Sequence, residues 1–280
     1  LTAFSYYSLG LQIDWVYLIF VCFSTAFLYN NHDLLSLRIF DSIRILIKRP
    51  LKLLSFLSIL LLFFLSISKV HIWVYGLAGL IIMGYYSCGI LKGITFRKDW
   101  LKPLSIGMVY ALITITYPAV SNKLPIILIL VLSSERIIFI ASLALIFDVG
   151  DAVIDKYTNP PTIPSMIGVQ NSVFIAMGLI VLASMINLYA YYEMWINDVN
   201  FFALTMTYLL SSILFKKASP QKEKNRFYLT YIDGMIGFPF FILMLAQLGY
   251  QICLIVISGC WNIKACKISS KLDIIVQKKK

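Results

Sequence analysis

The sequence predicts an all-α integral membrane protein, a bundle of about nine transmembrane helices. Of its 280 residues, 60% are hydrophobic and only 13% are charged, whereas soluble domains carry about 25% charged residues. Apolar stretches close to the roughly 20 residues that a helix needs to cross the hydrocarbon recur along the chain, separated by short polar segments. We therefore expect residues 1–280 to form one transmembrane helical domain, of which 250–280 is an irregular basic tail.

The individual spans follow from the apolar stretches, taken in chain order. They are predicted at 13–28, 51–68, 72–90, 104–120, 125–147, 167–189, 201–215 and 228–249. The apolar stretch 1–11 precedes them and is too short to cross the bilayer, so it predicts a truncated first helix. The cysteines are odd in number and lack the C-x-x-C spacing, which favours an interpretation as small apolar side chains.

Basic residues concentrate in every second connection between the predicted spans, which places those connections in the cytoplasm. They hold Arg38, Arg44, Lys48, Arg49 and Lys52, then Lys92, Arg97, Lys98 and Lys102, then Lys156, then Lys216, Lys217, Lys222, Lys224 and Arg226. The alternating connections hold Lys69, Lys123 and the acidic pair Glu193 and Asp198. We expect a multi-pass protein of a bacterial inner membrane whose net charge of +11 faces anionic lipid, with no nucleic-acid partner.

Three carboxylates follow directly on the apolar stretch that ends at Phe147. Asp148, Asp151 and Asp155 are spaced i, i+3 and i+7, so a helix that continues past Phe147 presents all three on one face. Like charges on one face repel unless a cation binds them, and Mg²⁺ prefers carboxylate and phosphate oxygens. The alternative is that these acids only solvate a helix end.

The same stretch resembles the second aspartate-rich motif of the UbiA-type prenyltransferases. Asp148-x-x-Asp151-x-x-x-Asp155-Lys156 is followed by Thr162-Ile163-Pro164 and Gly168, in the order and spacing of that family. The resemblance implies a UbiA-like helical bundle in which Asp148, Asp151 and Asp155 are catalytic and hold Mg²⁺ against an isoprenyl diphosphate. It implies that Lys156 contacts the diphosphate.

Two further segments carry weaker parts of the resemblance. Tyr86-Ser87, Leu91-Lys92 and Lys98 resemble the family's Tyr-Ser, Leu-Lys and following basic residues, which implies that Tyr86, Lys92 and Lys98 contact the diphosphate. Tyrosine and lysine at this place also satisfy an aromatic belt and the topology rule.

The first aspartate-rich motif is only partly present. Asn30 stands where the family has an asparagine and Asp33 is displaced by one position from an expected acid. The resemblance implies that Asn30 contacts the diphosphate and that Asp33 binds the metal. The other expected acidic positions hold Asn31, Leu34 and Arg38.

Glu135 and Arg136 interrupt a predicted span. Charges inside a bilayer are costly and tend to pair or to face a cavity. The alternative, which we place ahead, is that both residues lie near the outer boundary and extend their charged ends to the interface.

Three functions remain open from the sequence. The first is an enzyme that transfers an isoprenyl group from an isoprenyl diphosphate to an aromatic or other lipophilic acceptor, with Mg²⁺. The second, suggested by the incomplete first motif, is a relative of impaired activity that binds isoprenoid or lipid phosphates. The third is a transporter that uses Glu135 and Arg136 as a gating or substrate pair.

Overall fold

The computed structural model describes residues 2–30, 74, 76–78, 80–81, 101–155, 162–218, 231–232 and 234–245, with backbone alone for 23–30 and 153–155. These residues form helices and short connections, and no strand occurs among them. The helices are α1 (Thr2–Ser8), α2 (Trp15–Asn30), α3 (Lys102–Ser121), α4 (Ile126–Asp155), α5 (Ile163–Ile167), α6 (Val169–Tyr192), α7 (Asp198–Phe215) and α8 (Gly234–Leu245).

Four of these helices are long and apolar enough to cross a bilayer: α3, α4, α6 and α7. They correspond to four of the predicted spans, which confirms an all-α membrane protein. The count of about nine spans stays a prediction, because the predicted span 51–68 and the tail 250–280 lie outside the described residues. So does most of the predicted span 72–90, of which residues 74, 76–78 and 80–81 are helical.

Short connections make the four spanning helices run alternately up and down. Residues 122–125 join α3 to α4, and residues 193–197 join α6 to α7, at one end of the bundle. We call it the Lys123 end. The opposite end, which we call the Asp148 end, contains the start of α3, the last turns of α4, the short helix α5 and the last turn of α7.

α3 contains an irregularity that its sequence explains. Residues Leu112–Thr116 form a π-helical turn, and Pro118 follows it. A proline has no N–H and its ring crowds the carbonyl one turn earlier, so the regular hydrogen-bond pattern is interrupted there. In a π-helical turn the carbonyl of Ile113 would accept from the nitrogen five residues later, which is the Pro118 nitrogen and has no hydrogen. The Ile113 carbonyl accepts the Tyr17 hydroxyl instead, at 2.6 Å.

α3 and α4 pack closely because a glycine lies at their crossing. A Cβ on Gly107 would come within 2.5 Å of the backbone oxygen of Ile137, so only glycine permits this approach. Nearer the Lys123 end, the hydroxyls of Thr116 and Ser133 are 3.0 Å apart and form a hydrogen bond. These contacts fix the antiparallel register of the pair.

The remaining helices close the core around α4. The interior contains Phe139, Ile140, Leu143 and Ile146 of α4, Ala176 and Ile180 of α6, and Ala203, Leu204 and Tyr208 of α7. Large apolar side chains also point outward, including Ile126, Phe174, Met185 and Ile213. Helices that are apolar both inside and outside are typical of proteins surrounded by lipid.

α7 begins at a well-defined cap. The Asn197 side chain accepts a hydrogen bond from the backbone N–H of Asn200, 2.9 Å away, and Asp198 places a negative charge in the first turn. Both features stabilise a helix start. Asn200 in turn donates to the backbone oxygen of Ser8 at 3.3 Å, which attaches α1 to the start of α7.

Candidate functional site

α4 is longer than the hydrocarbon of a bilayer is thick. The helix has 30 residues, about 45 Å at a rise of roughly 1.5 Å per residue, whereas the hydrocarbon of a bilayer is about 30 Å thick. The predicted span ended at Phe147, but the helix continues without a break through Asp148 and Asp151 to Asp155. The helical spacing that the sequence argument required is therefore present.

Asp148 is buried within the bundle, although it lies near the membrane boundary. Its side chain is only 1% exposed, and its Oδ1 atom lies 2.6 Å from the Lys102 Nζ atom at the start of α3. A buried carboxylate is stable only when it is paired and hydrogen-bonded, and Lys102 supplies both. Lys102 itself is 33% exposed, so the pair lies at the edge of the interior.

Asp151 lies one turn further along α4 and is half-buried. Its neighbours Val149, Gly150 and Ala152 are buried, so the helix is still packed against other elements at this point. Asp148 and Asp151 therefore lie together on the last described turns of α4. Asp155 ends the helix, and its side chain lies outside the described residues.

The segment after the acids folds back beside them. Thr162 is buried and its carbonyl accepts the Ser165 hydroxyl at 2.8 Å, while Pro164 stands in the first turn of α5. Gly168 separates α5 from α6 with a φ of +88°, a conformation that side-chain-bearing residues rarely adopt. α5 packs on both α4 and α6, so the predicted Thr-Ile-Pro and Gly positions hold the turn that follows the acids.

Several predicted contacts cannot be placed in this site. Tyr86, Lys92, Lys98, Lys156 and Asp33 lie outside the described residues. Asn30 ends α2, and its side chain also lies outside them. These assignments stay predictions.

The described acids could coordinate a magnesium ion only together with ligands from a substrate. Among the described residues, no group of three or more His, Cys, Asp or Glu side chains comes together as a metal site. Mg²⁺ is usually held by one or two carboxylates together with phosphate oxygens and water. Asp148 and Asp151 provide that minimum, so the donor chemistry fits a metal that arrives with a diphosphate.

An open apolar cavity runs along α3 and α4 towards the Lys123 end, and Ile126 and Leu130, which line it, are 72% and 61% exposed among the described residues. Its volume is about 640 Å³. Side chains from both helices line it, among them Met108, Leu112, Ile129, Leu130 and Ile137, and Lys123 and Leu77 also contribute. The cavity therefore runs along the same helix pair that carries Lys102 and Asp148.

The expectation that Glu135 and Arg136 extend to the outer boundary is wrong. Glu135 is nine residues from the start of α4, about 14 Å along a helix that has 30 residues. The two side chains are 2% and 1% exposed. They belong to the bundle interior, which is the alternative that the sequence left open.

A tyrosine and a phenylalanine complete this interior cluster. The Tyr208 hydroxyl of α7 donates a hydrogen bond to Glu135 Oε1, and Arg136 Nε lies 3.6 Å from Glu135 Oε2. The guanidinium carbon is 5.8 Å from the centre of the Phe4 ring. The cluster thus joins α1, α4 and α7.

The sequence argument missed the roles of Lys102 and Tyr208. Lys102 was seen only as one of many basic residues at a span end, and nothing in its surroundings linked it to Asp148. Tyr208 is one tyrosine among 17. The only available signal was that a buried charge requires a partner, which predicts that a partner exists without naming it.

Comparisons of the chain with protein-family models, with curated proteins and with solved structures find no match.

Proposed function

We propose that this protein is an intramembrane prenyltransferase similar to the UbiA type. The observation that carries the proposal is the buried, ion-paired Asp148 at the end of α4, with Asp151 one turn beyond it and the hydrocarbon directly behind. An isoprenyl diphosphate needs such a boundary, because its head is highly charged and its tail is apolar. The order and spacing of the acids and of the Thr-Ile-Pro segment add support from the sequence.

In the proposed reaction the allylic C–O bond breaks and diphosphate leaves with the bonding electron pair. A lipophilic acceptor forms the new bond to the allylic carbon and loses a proton. Asp148, Asp151 and Asp155 would hold Mg²⁺, which supplies positive charge to the leaving diphosphate.

The protein's own side chains prepare this site. Lys102 orients the Asp148 carboxylate and offsets the cost of burying it. Burial of Val149 and Ala152 packs this part of α4 against its neighbours, and of Asp148 and Asp151 only Asp148 is shielded from water. The cavity between α3 and α4 offers apolar walls to a hydrocarbon chain.

The proposed orientation places the Asp148 end in the cytoplasm of a bacterial cell. Among the described residues, Lys102, Lys216 and Lys217 lie at this end, whereas Lys123 is the single basic residue at the other end. This asymmetry agrees with the rule that basic residues stay on the cytoplasmic side. Water-soluble isoprenyl diphosphates would then reach the acids from the cytoplasm.

The test is turnover by the purified protein in lipid nanodiscs. Labelled geranylgeranyl diphosphate, Mg²⁺ and a panel of aromatic acceptors are supplied, and released diphosphate and prenylated product are measured. We expect Asp151→Asn to lower the rate by at least about 100-fold, because a charge that acts on the leaving group is lost. Asp198→Asn, which removes an acid at the Lys123 end, is the matched control and should leave the rate unchanged.

Other outcomes of this experiment are equally informative. Saturable binding of the diphosphate without product would favour the impaired relative that only binds isoprenoid or lipid phosphates. No binding and no turnover with any acceptor would rule out both functions.

The buried pair Glu135 and Arg136 supports a transporter as the third candidate, after the enzyme and the relative that only binds, since intramembrane charges often line substrate pathways. Transport would appear as a flux into liposomes that contain the purified protein. Glu135→Gln should stop that flux, and its persistence in this variant would remove the support that the pair gives.

A further inference from the structure

We propose that Arg136 anchors a second binding site, in the middle of the bundle, that takes the carbonyl oxygen of an uncharged lipophilic molecule. Arg136 is fully buried, with 1% of its surface exposed. Among the described residues, its Nε and Nη1 atoms have no hydrogen-bond partner. A buried donor without a partner is costly, and arginine remains charged in proteins, so these N–H groups require an acceptor.

The acceptor does not come from Glu135. Its Oε2 atom lies 3.6 Å from Arg136 Nε, beyond hydrogen-bond distance, and its Oε1 atom accepts the Tyr208 hydroxyl. Glu135 balances the charge of Arg136, whereas the need for hydrogen bonds remains. The face of Phe4 near the guanidinium attracts a cation but accepts no strong hydrogen bond.

The charge balance selects a neutral ligand. Glu135 and Arg136 together carry no net charge, so an anion at Arg136 would leave a net negative charge in an apolar interior, which is unfavourable. A carbonyl oxygen accepts two hydrogen bonds without adding charge. The chemical class is therefore a ketone, a quinone or an ester of a lipid-soluble molecule.

Hydroxyl groups near this level of the bundle add further donors. Thr114 lies in the π-helical turn of α3, and its buried hydroxyl has no hydrogen-bond partner among the described residues. The hydroxyls of Thr116 on α3 and Ser133 on α4 form a hydrogen bond. Because the two helices are antiparallel, two residues back from Thr116 and three residues on from Ser133 lead in the same direction, so Thr114 lies at about the same level of the bundle as Arg136. Ser211, one turn from Tyr208 on α7, also has a buried hydroxyl without a described partner. A hydroxyl can donate as well as accept, so Thr114 and Ser211 can add donors to those of Arg136.

The site differs from the proposed diphosphate site in place and in chemistry. Arg136 and Asp148 are twelve residues apart on α4, about 18 Å along the helix. Phe139, Ile140, Leu143 and Ile146, all buried, lie between them. The proposal does not rest on prenyl transfer.

Infrared spectroscopy of a labelled ketone tests the proposal without isoprenyl diphosphate or divalent cations. Acetophenone with a ¹³C carbonyl is titrated into the protein in nanodiscs. A carbonyl that accepts hydrogen bonds from a guanidinium absorbs at lower frequency than one dissolved in lipid. We expect a shifted band that saturates with ketone concentration.

The variant Glu135→Gln/Arg136→Met removes both charges and should lose the shifted band. Removing a buried pair together is far better tolerated than removing one partner, so this variant should fold. Lys123→Met is the matched control, because Lys123 lines the neighbouring apolar cavity and contributes no donor at Arg136. It should retain the band.

Three results would overturn the proposal. They are the absence of a saturable shifted band in the unaltered protein, its persistence in the double variant, and its loss in Lys123→Met, which would place the ketone in the cavity. The first result would mean that internal water satisfies Arg136. Should the double variant fail to fold, Arg136→Lys decides: it keeps the charge and loses the fork of donors, so binding must weaken by about tenfold.

Discussion

The role assigned to Asp148 changes once its surroundings in the folded protein are known. In the sequence it is the first of three acids after an apolar stretch, and such acids often only solvate a helix end. In the structure it is buried and its carboxylate contacts Lys102 of a different helix. An acid that only solvates a helix end would be exposed, so the burial of Asp148 excludes that interpretation for this residue.

The Lys102–Asp148 pair should stabilise the fold as well as the site. Lys102→Met leaves a buried carboxylate without its cation and should lower the free energy of unfolding by about 2 kcal/mol, a value reduced because Lys102 is partly exposed. Asp148→Asn/Lys102→Met should cost less than the sum of the single changes. Thermal unfolding of the four proteins in one detergent measures this coupling, and strictly additive effects would contradict a direct interaction.

Glu135 and Arg136 show the opposite case. Their positions in an apolar stretch were evident, but the direction in which they point was not. A shift of a few residues in the boundary of the span decides between the interface and the bilayer centre. The observed burial of both side chains places them in the bundle interior, where the Tyr208 hydroxyl is a partner of Glu135.

Among the helices, α3 depends most on contacts outside itself. Tyr17 of α2 donates to the Ile113 carbonyl at the π-helical turn and stacks on Tyr117, with ring centres 3.8 Å apart. Tyr17→Phe keeps the ring and removes the donor, so we expect a loss of about 1 to 2 kcal/mol of unfolding free energy. Tyr189→Phe, on an exposed tyrosine, is the control for thermal unfolding, and equal effects of the two changes would argue against this hydrogen bond.

The α3–α4 packing rests on one glycine. Gly107→Ala forces the new methyl group against the Ile137 backbone, which cannot move without shifting α4. We expect a loss of about 2 kcal/mol or more of unfolding free energy and a drop in the proposed prenyl transfer, because Lys102 and Asp148 lie on this helix pair. Gly178→Ala on α6 meets no atom within 4 Å and should stabilise by roughly 0.5 to 1 kcal/mol.

The test compares the unfolding midpoints of the Gly107→Ala and Gly178→Ala proteins. Unfolding midpoints that fall in Gly107→Ala and rise in Gly178→Ala would support close packing at the crossing. A stable Gly107→Ala protein would mean that the two helices are not in contact there.

The described lysines are divided unequally between the two ends of the bundle, and the orientation of the bundle in the membrane is open to a direct test. In a variant without its native cysteines, single cysteines replace Lys123 and Lys216. A membrane-impermeant thiol reagent added outside intact bacterial cells should label position 123 and leave position 216 unlabelled until the membrane is opened, because basic residues stay in the cytoplasm. Labelling in the reverse pattern would invert the orientation and move the acids to the outside.

Hydropathy and charge alone were enough for the class of the fold. Backbone groups in hydrocarbon must bond within their own segment, so a long apolar stretch has almost no alternative to a spanning helix. For that reason the predicted spans 104–120, 125–147, 167–189 and 201–215 each coincide with a helix, and their ends agree to within three residues except at the end of α4, which continues eight residues past Phe147. The acids after Phe147 share one helix for the same reason, since their spacing is a local property.

Pairing between helices follows from a different kind of physics. The register of the helices decides which cation contacts Asp148 and which hydroxyl contacts Glu135. For α3 and α4, the close approach at Gly107 and the π-helical turn before Pro118 set that register. Packing of this kind acts between residues that are far apart in the chain, and a linear pattern carries no record of it. The sequence alone therefore determined the spacing of residues along one helix, whereas only the tertiary structure determined the partners of the buried charges.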